Sequence, residues 1–295
     1  MPRPLIVAHR MMGANGLEHA RSSLVRLADA GADMAEIDIR LSLDRQPVVL
    51  HDATLGRTSR GRGWVRLWPS AVLGRLPLTN SSGERIPLLG SLLTDIPESL
   101  DFEIALHLKD RGALRPVLRT IDRLNLTTRV WLWLERAGDV QRARAVLPGI
   151  RCTLLRPGSW DEPLRSRYFA DARDCGADGV SLQPGAIDAN VIARATAHGL
   201  LVFTRIDDDD RVDHLIRNGV SGLITDDPAR TRQTVDQVLS ACAPGRTCQP
   251  CQGLTFSCRT ATLFDRNVSC RPTSRTSRNT CRDRPFRRPA WPEKR

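Results

Sequence analysis

Four short stretches of this sequence combine polar side chains that could carry out chemistry on a phosphate ester. They are His9-Arg10, Glu36-Ile37-Asp38, His51-Asp52 and His107-Leu108-Lys109. Two neighbouring carboxylates repel each other unless a cation neutralises them, and oxygen ligands suit Mg²⁺ or Ca²⁺. Two imidazoles can exchange protons with a nucleophile and a leaving group, while an arginine and a lysine can stabilise charge on a phosphate. This set predicts phosphodiester cleavage assisted by a divalent metal ion.

The spacing within these stretches is that of side chains on one face of a β-strand. Alternate residues of a strand point the same way, so Glu36 and Asp38 should share a face, as should His107 and Lys109. Glu103 lies on the same face as His107 but farther from the end of the strand, and we expect it to be a structural partner for an arginine. Charged pairs that face the interior of a barrel near its strand ends are typical of a functional site.

Short apolar runs alternate with longer helical patterns along the chain, which is typical of repeated βα units around a parallel sheet. Eight strands with helices between them close a barrel. We therefore predict an α/β fold, a (β/α)8 TIM-type barrel, over residues 1–240. The eight predicted strands are 5–8, 35–41, 103–108, 130–134, 152–155, 179–182, 200–204 and 222–225.

Three regions depart from this alternation. The apolar run 47–52 is interpreted as a second loop that ends in His51-Asp52, and the irregular residues 51–99 as a small insertion on the barrel rim. Residues 241–295 contain 12 Lys and Arg against 3 Asp and Glu, and they are predicted to be a disordered Arg/Cys-rich tail. This tail carries +9 of the formal net charge of +11, so the predicted barrel is nearly neutral.

Composition also argues against other classes of protein. No stretch approaches the roughly 18 consecutive apolar residues of a membrane helix, so no transmembrane segment is expected. The first residues lack the charged and apolar regions of a secretory signal, which favours a cytoplasmic location. The basic tail could neutralise nucleic-acid phosphates, but it has few aromatic side chains for stacking, and specific nucleic-acid binding is the least favoured function.

Further motifs accompany the candidate residues along the chain. In order they are His9-Arg10, Glu18, Gly31-Ala32-Asp33-Met34-Ala35-Glu36-Ile37-Asp38, His51-Asp52-Ala53-Thr54-Leu55-Gly56-Arg57-Thr58 and Thr225-Asp226-Asp227-Pro228. Over roughly residues 4–230 the chain resembles the glycerophosphodiester phosphodiesterase family, most specifically from Gly31 to Thr58. The resemblance implies a barrel hydrolase of lipid metabolism that uses a divalent ion to cut a small-molecule glycerophosphodiester into glycerol 3-phosphate and an alcohol.

The resemblance also implies a role for each matching residue. His9 and His51 would be the acid–base pair, Glu36 and Asp38 metal ligands, and Arg10 and Lys109 phosphate-binding groups, with Glu18 in support. The 2-hydroxyl of the substrate glycerol would be the internal nucleophile.

Five positions depart from the family pattern. Met11 stands where the family has glycine, and its side chain would crowd the phosphate loop or impose a different backbone angle. His107 stands where the family has glutamate, and an imidazole as third metal ligand makes Zn²⁺ or Mn²⁺ possible beside Mg²⁺ or Ca²⁺. Phe203 replaces a tryptophan and would keep an aromatic wall against the substrate. His19 and Ala20 stand where the family has asparagine and threonine, and His19, in a helical pattern, is expected to be a surface or packing residue.

Met11 and His107 leave a second class of function open. A catalytically impaired barrel could be retained as a binding or regulatory protein. Weak hydrolysis that His107→Glu restores would favour decayed catalysis, whereas ligand binding without turnover in either form would favour a binding protein.

Overall fold

The computed structural model describes residues 2–12, 17–79, 81, 83–96, 102–155, 162–206 and 211–241. The strands are β1 Leu5–Ala8, β2 Met34–Leu41, β3 Pro47–Val49, β4 Glu103–Leu108, β5 Val130–Leu134, β6 Arg151–Leu155, β7 Gly179–Leu182, β8 Leu201–Arg205 and β9 Gly222–Thr225. The α-helices are α1 Arg21–Asp29, α2 Ser70–Leu73, α3 Leu89–Thr94, α4 Leu114–Arg123, α5 Ala137–Val146, α6 Glu162–Asp174, α7 Ala189–Ala197, α8 Val212–Asn218 and α9 Pro228–Ala241. Short 3-10 helices span His9–Met11, Val65–Leu67 and Pro184–Ala186.

Eight of the strands form a closed parallel barrel. Neighbouring strands pair in the order β1, β2, β4, β5, β6, β7, β8 and β9, and β9 pairs with β1 to complete the ring. These are the eight strands that the sequence predicts, so the (β/α)8 fold is confirmed. Residues 242–295 of the predicted disordered tail lie outside the described part of the chain, and the state of the tail stays a prediction.

Apolar side chains fill the barrel on both faces of its strands. All five residues of β5 are buried, because one face meets the interior and the other meets the surrounding helices. On α4 the buried residues Leu114, Val117, Leu118 and Ile121 recur at three- and four-residue spacing, which turns one side of the helix towards the sheet. A separate interior cluster fills the barrel itself with Val7, Met34, Ala105, Trp131, Trp133, Phe203 and Ile224.

A ninth strand continues the sheet beyond the ring. The run interpreted as a loop begins instead with β3, which pairs antiparallel with the end of β2 through Ile39 and Val49. Antiparallel neighbours need only a tight connection, and residues 42–46 make it: Ser42 N donates to Gln46 O at 3.1 Å, and Gln46 N donates to Ser42 Oγ at 2.9 Å. The pairing fixes where His51 emerges, since Leu50 N donates to Asp38 O at 3.1 Å.

The rim insertion has a small hydrophobic core of its own. Leu55, Val65, Leu73, Leu78 and Ile86 pack with residues of β3 and with Ala20. The helix α3, by contrast, buries its leucines in the main core of the barrel. The insertion therefore ends before α3, which serves as the barrel helix between β2 and β4, and the predicted range 51–99 was too long.

Within the described residues, no helix combines the length and the apolar character that crossing a lipid bilayer would require.

Candidate active site

The first candidate residues leave β1 in a strained turn. Arg10 and Met11 both have φ of 53°, in the left-handed region that L-residues enter at a cost of roughly 1–2 kcal/mol each. Arg10 O accepts a hydrogen bond from His19 N at 2.8 Å, which closes the turn. Met11 thus keeps a glycine-like backbone angle, and its side chain is fully buried in the main core instead of crowding the loop.

Two buried carboxylates form the centre of the site on β2. Glu36 is 2% and Asp38 1% exposed. Glu36 Oε2 accepts a hydrogen bond from Arg10 N at 2.8 Å, so the strained turn is attached directly to the acidic pair. Their common orientation towards the barrel interior agrees with the alternation of the strand.

The end of β4 brings two cationic groups against these carboxylates. His107 Nδ1 lies 3.2 Å from Asp38 Oδ1 and 3.4 Å from Glu36 Oε1. Lys109 Nζ lies 3.1 Å from Asp38 Oδ1. The register explains the meeting, because Asp38 is the partner of His107 in the β2–β4 pairing. The predicted shared face of His107 and Lys109 is confirmed.

Mutual attraction perturbs the pKa values of this cluster. Burial raises the pKa of Asp38, but His107, His19 and Lys109 outweigh burial and hold that pKa well below its usual value. Burial lowers the pKa of His107, but the carboxylates of Asp38, Glu135 and Glu36 outweigh it and raise that pKa to about 10. Without a metal, His107 is therefore an imidazolium at neutral pH, and its charge partly neutralises the acidic pair.

The cluster fits a divalent metal ion by its donor atoms. One ligand atom each from Glu36, Asp38 and His107 lies within 4.8 Å of the others. Asp38 Oδ1 is buried and faces two cationic groups, His107 Nδ1 at 3.2 Å and Lys109 Nζ at 3.1 Å, so positive charge already lies where a metal cation would bind. Metal binding would require His107 to lose its proton, so affinity should rise with pH. These are the three metal ligands that the sequence suggests.

His9 is oriented by a carboxylate from the opposite end of the chain. Its Nδ1 lies 2.6 Å from Asp226 Oδ1, and its Nε2 lies 3.2 Å from Arg205 Nη1. A carboxylate accepts and a guanidinium donates, so Nδ1 carries the proton and Nε2 presents its lone pair. Asp226 follows β9, which pairs with β1, and this closure of the barrel places the two residues together.

His51 has a carboxylate partner in the next residue. Its Nδ1 lies 2.7 Å from Asp52 Oδ1. Burial lowers the pKa of His51 below its usual value and outweighs the opposing effect of Asp52. The pKa of Asp52 is lowered to about 2, chiefly by its hydrogen bond with Arg57, so Asp52 is ionised at neutral pH. Arg40 Nε donates to His51 O at 2.9 Å and fixes the loop from β2.

Glu18 links two arginines at the edge of the site. Arg10 Nη1 donates to Glu18 Oε1 at 2.7 Å, and Arg57 donates from both terminal nitrogens to the same carboxylate at 2.8 and 2.7 Å. Arg57 also pairs with Asp52. This network connects the turn after β1 with the loop after β3, which is consistent with the supporting role predicted for Glu18.

The prediction that His19 lies in a helix was wrong. It lies before α1, is 2% exposed, and its Nε2 is 3.0 Å from Asp38 Oδ2. Its φ of 54° belongs to the same strained segment as Arg10 and Met11. The error came from extending the helical pattern of α1 towards the N-terminus. The backbone hydrogen bond from His19 N to Arg10 O instead directs this residue towards the site.

Phe203 does not line the open mouth of the barrel. Its side chain is fully buried in the barrel interior, with ring centroids 5.7 Å from Trp131 and 5.6 Å from Trp133. A Cβ built at Gly222 would come within 2.4 Å of this ring, so glycine makes room for it. Contact with substrate remains a prediction that this packing does not support.

The structure adds three charged residues that the sequence analysis did not single out for roles. Glu135 Oε1 lies 3.9 Å from His107 Nε2, while Arg205 and Asp226 contact His9. Each lies two residues beyond an interior residue of its strand. Extending the alternation to the last residue of β8 and one step past β5 and β9 would have identified all three.

Comparisons with known proteins place the chain among enzymes. Residues 9–230 match the Glycerophosphoryl diester phosphodiesterase family. A glycerophosphodiester phosphodiesterase of Caldanaerobacter subterraneus is 25% identical over 237 residues, covering 77% of this chain and 95% of that protein.

Solved structures share the fold at low sequence identity. Glycerophosphodiester phosphodiesterase from Agrobacterium tumefaciens is similar with a TM-score of 0.66 at 21% identity, covering 78% of this chain and 99% of that one. An Oleispira antarctica phosphodiesterase in complex with the product sn-glycerol-3-phosphate gives a TM-score of 0.66 at 23% identity, covering 79% of this chain and 97% of that one.

The fold, the site and the family match together define a (β/α)8 barrel enzyme of the phosphoric diester hydrolase class. The chain belongs to the glycerophosphoryl diester phosphodiesterase family, as the match over residues 9–230 shows.

Proposed function

We propose that the protein hydrolyses glycerophosphodiesters to glycerol 3-phosphate and an alcohol, and that it requires a divalent metal ion. The observation that carries this proposal is the arrangement of His9 and His51. Each imidazole is oriented by its own carboxylate, and each follows a strand that pairs with β2, which bears Glu36 and Asp38. The sn-glycerol-3-phosphate bound as product to the Oleispira antarctica phosphodiesterase supports the class of substrate.

Glu36, Asp38 and His107 would hold the metal ion. A divalent ion bound there would polarise the phosphate and neutralise charge that develops on it. Two carboxylates suit Mg²⁺ and Ca²⁺, whereas the imidazole of His107 favours Mn²⁺ or Zn²⁺. We expect Mn²⁺ to be the most effective of the four because it tolerates both kinds of donor.

His51 is the better candidate for the base of the reaction. Its lowered pKa favours the neutral ring, and its bond to Asp52 leaves Nε2 to accept a proton. We assign to His9 the complementary role of general acid: Nε2 would take up a proton from solvent before the reaction, Asp226 would stabilise the imidazolium, and Nε2 would then give that proton to the leaving oxygen, which restores the neutral ring.

Arg10 and Lys109 would bind the phosphate. Arg10 is held by Glu18 at one terminal nitrogen, while its Nε is buried without a hydrogen-bond partner within the described residues. Lys109 lies beside Asp38 and would supply a compact positive charge next to the metal.

Phosphorus NMR of glycerophosphocholine treated with the full chain tests this proposal. After chelator treatment, the protein is assayed alone and with each of the four ions. We expect a glycerol 3-phosphate signal that appears only with added metal. Phosphocholine as product, or the same rate in excess chelator, would overturn the assignment.

A catalytically impaired barrel is the second candidate function. The reason is that the protonated side chain of His107 lies against the acidic pair, where a metal ion would bind. A protein of this kind would bind glycerol 3-phosphate in calorimetry yet show no turnover with any ion, either as the native chain or as His107→Glu. Turnover by the native chain would exclude it.

A further inference from the structure

The outward face of the rim insertion carries an unusual concentration of exposed apolar side chains. Six large hydrophobic residues are exposed within the described part of the chain, and only Val146 on α5 lies away from the insertion and the adjoining β2–β3 connection. The other five form what we term the rim patch, with exposed fractions from 38% at Val72 to 60% at Leu67. Its members are Leu43, Trp64, Leu67, Trp68 and Val72.

The rim patch is held together by specific contacts. Leu43 N donates to Trp68 O at 2.9 Å, which joins the β2–β3 connection to the insertion. Trp68 Nε1 donates to Arg62 O at 3.2 Å. Beneath the patch, Val65 and Leu73 are buried in the small core of the insertion. The insertion thus has one apolar face that packs towards the barrel and a second apolar face that is exposed to solvent.

Positive charge surrounds the patch. Residues 53–83 contain five arginines and no lysine, aspartate or glutamate. Arg57 is used by the active-site network, whereas Arg60, Arg62 and Arg66 are exposed, and within the described residues they form no ion pair. The guanidinium of Arg66 lies 5.4 Å from the ring centroid of Trp64, so cationic and aromatic groups are adjacent.

We propose that the rim patch binds the surface of an anionic lipid bilayer. Tryptophan and leucine flanked by arginine is the combination that enters the headgroup region, where the rings are amphipathic and the guanidinium groups meet lipid phosphates. Each basic residue near such a surface adds about 1 kcal/mol of attraction. The exposed acid beside the patch, Asp44, is engaged by the hydroxyl groups of Ser42 and Ser70.

A second copy of the chain fits this surface less well. Self-complementary dimers place the same patch of both subunits face to face, so the arginines of one patch would oppose those of the other. A negatively charged bilayer removes that repulsion. The proposal is independent of the proposed catalytic activity, although the insertion also supplies Arg57 to the site, so docking would bring the mouth of the barrel close to lipid headgroups.

Vesicle flotation with the full chain tests the proposal. We expect binding to vesicles of phosphatidylcholine with phosphatidylglycerol and much weaker binding to phosphatidylcholine alone. The double variant Trp64→Ser, Leu67→Ser should lower the partition coefficient about tenfold or more, because both side chains lose their burial in lipid. Val146→Ser is the matched control and should bind as the native chain does. Equal binding by the double variant would overturn the proposal.

The basic tail could also attract anionic vesicles, so a second measurement locates the contact. Hydrogen exchange of the full chain with vesicles should protect amides of residues 60–73, and protection confined to residues 242–295 would overturn the proposal. Replacing Arg60, Arg62 and Arg66 by Gln should weaken binding, while replacing Arg142, Arg167 and Arg173 by Gln should not. Binding that depends equally on both sets would likewise contradict a specific surface.

Discussion

Charged groups lie at both ends of the barrel interior, and β4 contributes a residue to each. The two sets of charges differ in how completely they are paired. Where the strands begin, Glu103 pairs with Arg151 and accepts a hydrogen bond from Trp131 Nε1 at 2.6 Å. The guanidinium of Arg151 in turn lies over the ring of Trp131, 4.6 Å from its centroid. This is the structural pairing that the sequence predicts for Glu103, and it leaves both carboxylate oxygens satisfied.

Where the strands end, the charged groups are left incomplete. His107 Nε2, Arg10 Nε and His19 Nδ1 are all buried without a hydrogen-bond partner within the described residues. Buried polar atoms are normally satisfied because an unmade bond costs about 1–3 kcal/mol. The contrast teaches that charge alone does not mark a site. Arg232 Nη1, beside Asp33 before β2, also lacks a partner within the described residues, so it is the grouping of several such atoms around one acidic pair that indicates the end prepared for a ligand.

Replacing one acid at each end of the barrel should separate the effect on activity from the effect on stability. The loss of activity in the first variant is the largest change that we expect. Glu36→Gln removes a metal ligand, and we expect kcat/KM to fall about 10³-fold while the free energy of unfolding changes little. Glu103→Gln breaks a pair between partly buried charges, and should lower the free energy of unfolding by about 1–3 kcal/mol with activity retained. Both are measured by steady-state kinetics and urea unfolding. Equal losses of activity in the two variants would refute the contrast.

The carboxylate behind His9 provides the next largest effect. Asp226→Asn should lower kcat about 10²-fold, because the amide no longer stabilises the imidazolium and does not fix the Nδ1 proton. Asp227→Asn is the adjacent control, since Asp227 accepts from Arg230 N at the start of α9 and does not contact His9. A comparable loss in both would mean that the segment matters only for folding.

Replacing the imidazole of the metal cluster should shift the choice of ion by a smaller factor. His107→Glu adds a hard oxygen ligand and removes the cation, so activity with Mg²⁺ should rise about tenfold relative to activity with Zn²⁺. Rates with both ions, measured in native and variant proteins, give the ratio. An unchanged ratio would show that His107 does not ligate the metal.

The smallest expected effect is a shift in pH dependence. Burial lowers the pKa of His51, and Asp52 opposes this by raising it. In Asp52→Asn that opposition is lost, so the pKa falls further and the neutral base persists to lower pH. The acidic limb of kcat/KM against pH should therefore move to lower pH, with a reduced maximum. A limb that moves to higher pH would exclude His51 as the base.

The sequence predicted the barrel well because burial on both faces of a strand leaves a clear apolar run. It also predicted that Glu36 with Asp38, and His107 with Lys109, share a face, since alternation along a strand depends only on local geometry. Short β3 was missed because three residues give too little pattern to distinguish a strand from a loop.

Contacts that depend on closure of the barrel were harder to predict. Asp226 meets His9 only because β9 returns to β1, and Glu135 approaches His107 only through the neighbouring strand. The position of His19 depends on a left-handed turn at residues other than glycine, and the sequence does not suggest such a turn. Tertiary closure and backbone strain, rather than side-chain type, set these three positions.

Turnover of glycerophosphocholine by the full chain tests the central claim most directly. We expect hydrolysis that requires an added divalent ion and falls about 10³-fold or more in His9→Ala, while His214→Ala on the exposed side of α8 retains full activity. Absence of turnover with Mg²⁺, Ca²⁺, Mn²⁺ and Zn²⁺, in protein that unfolds cooperatively, would contradict the account. So would equal turnover by His9→Ala and the native chain.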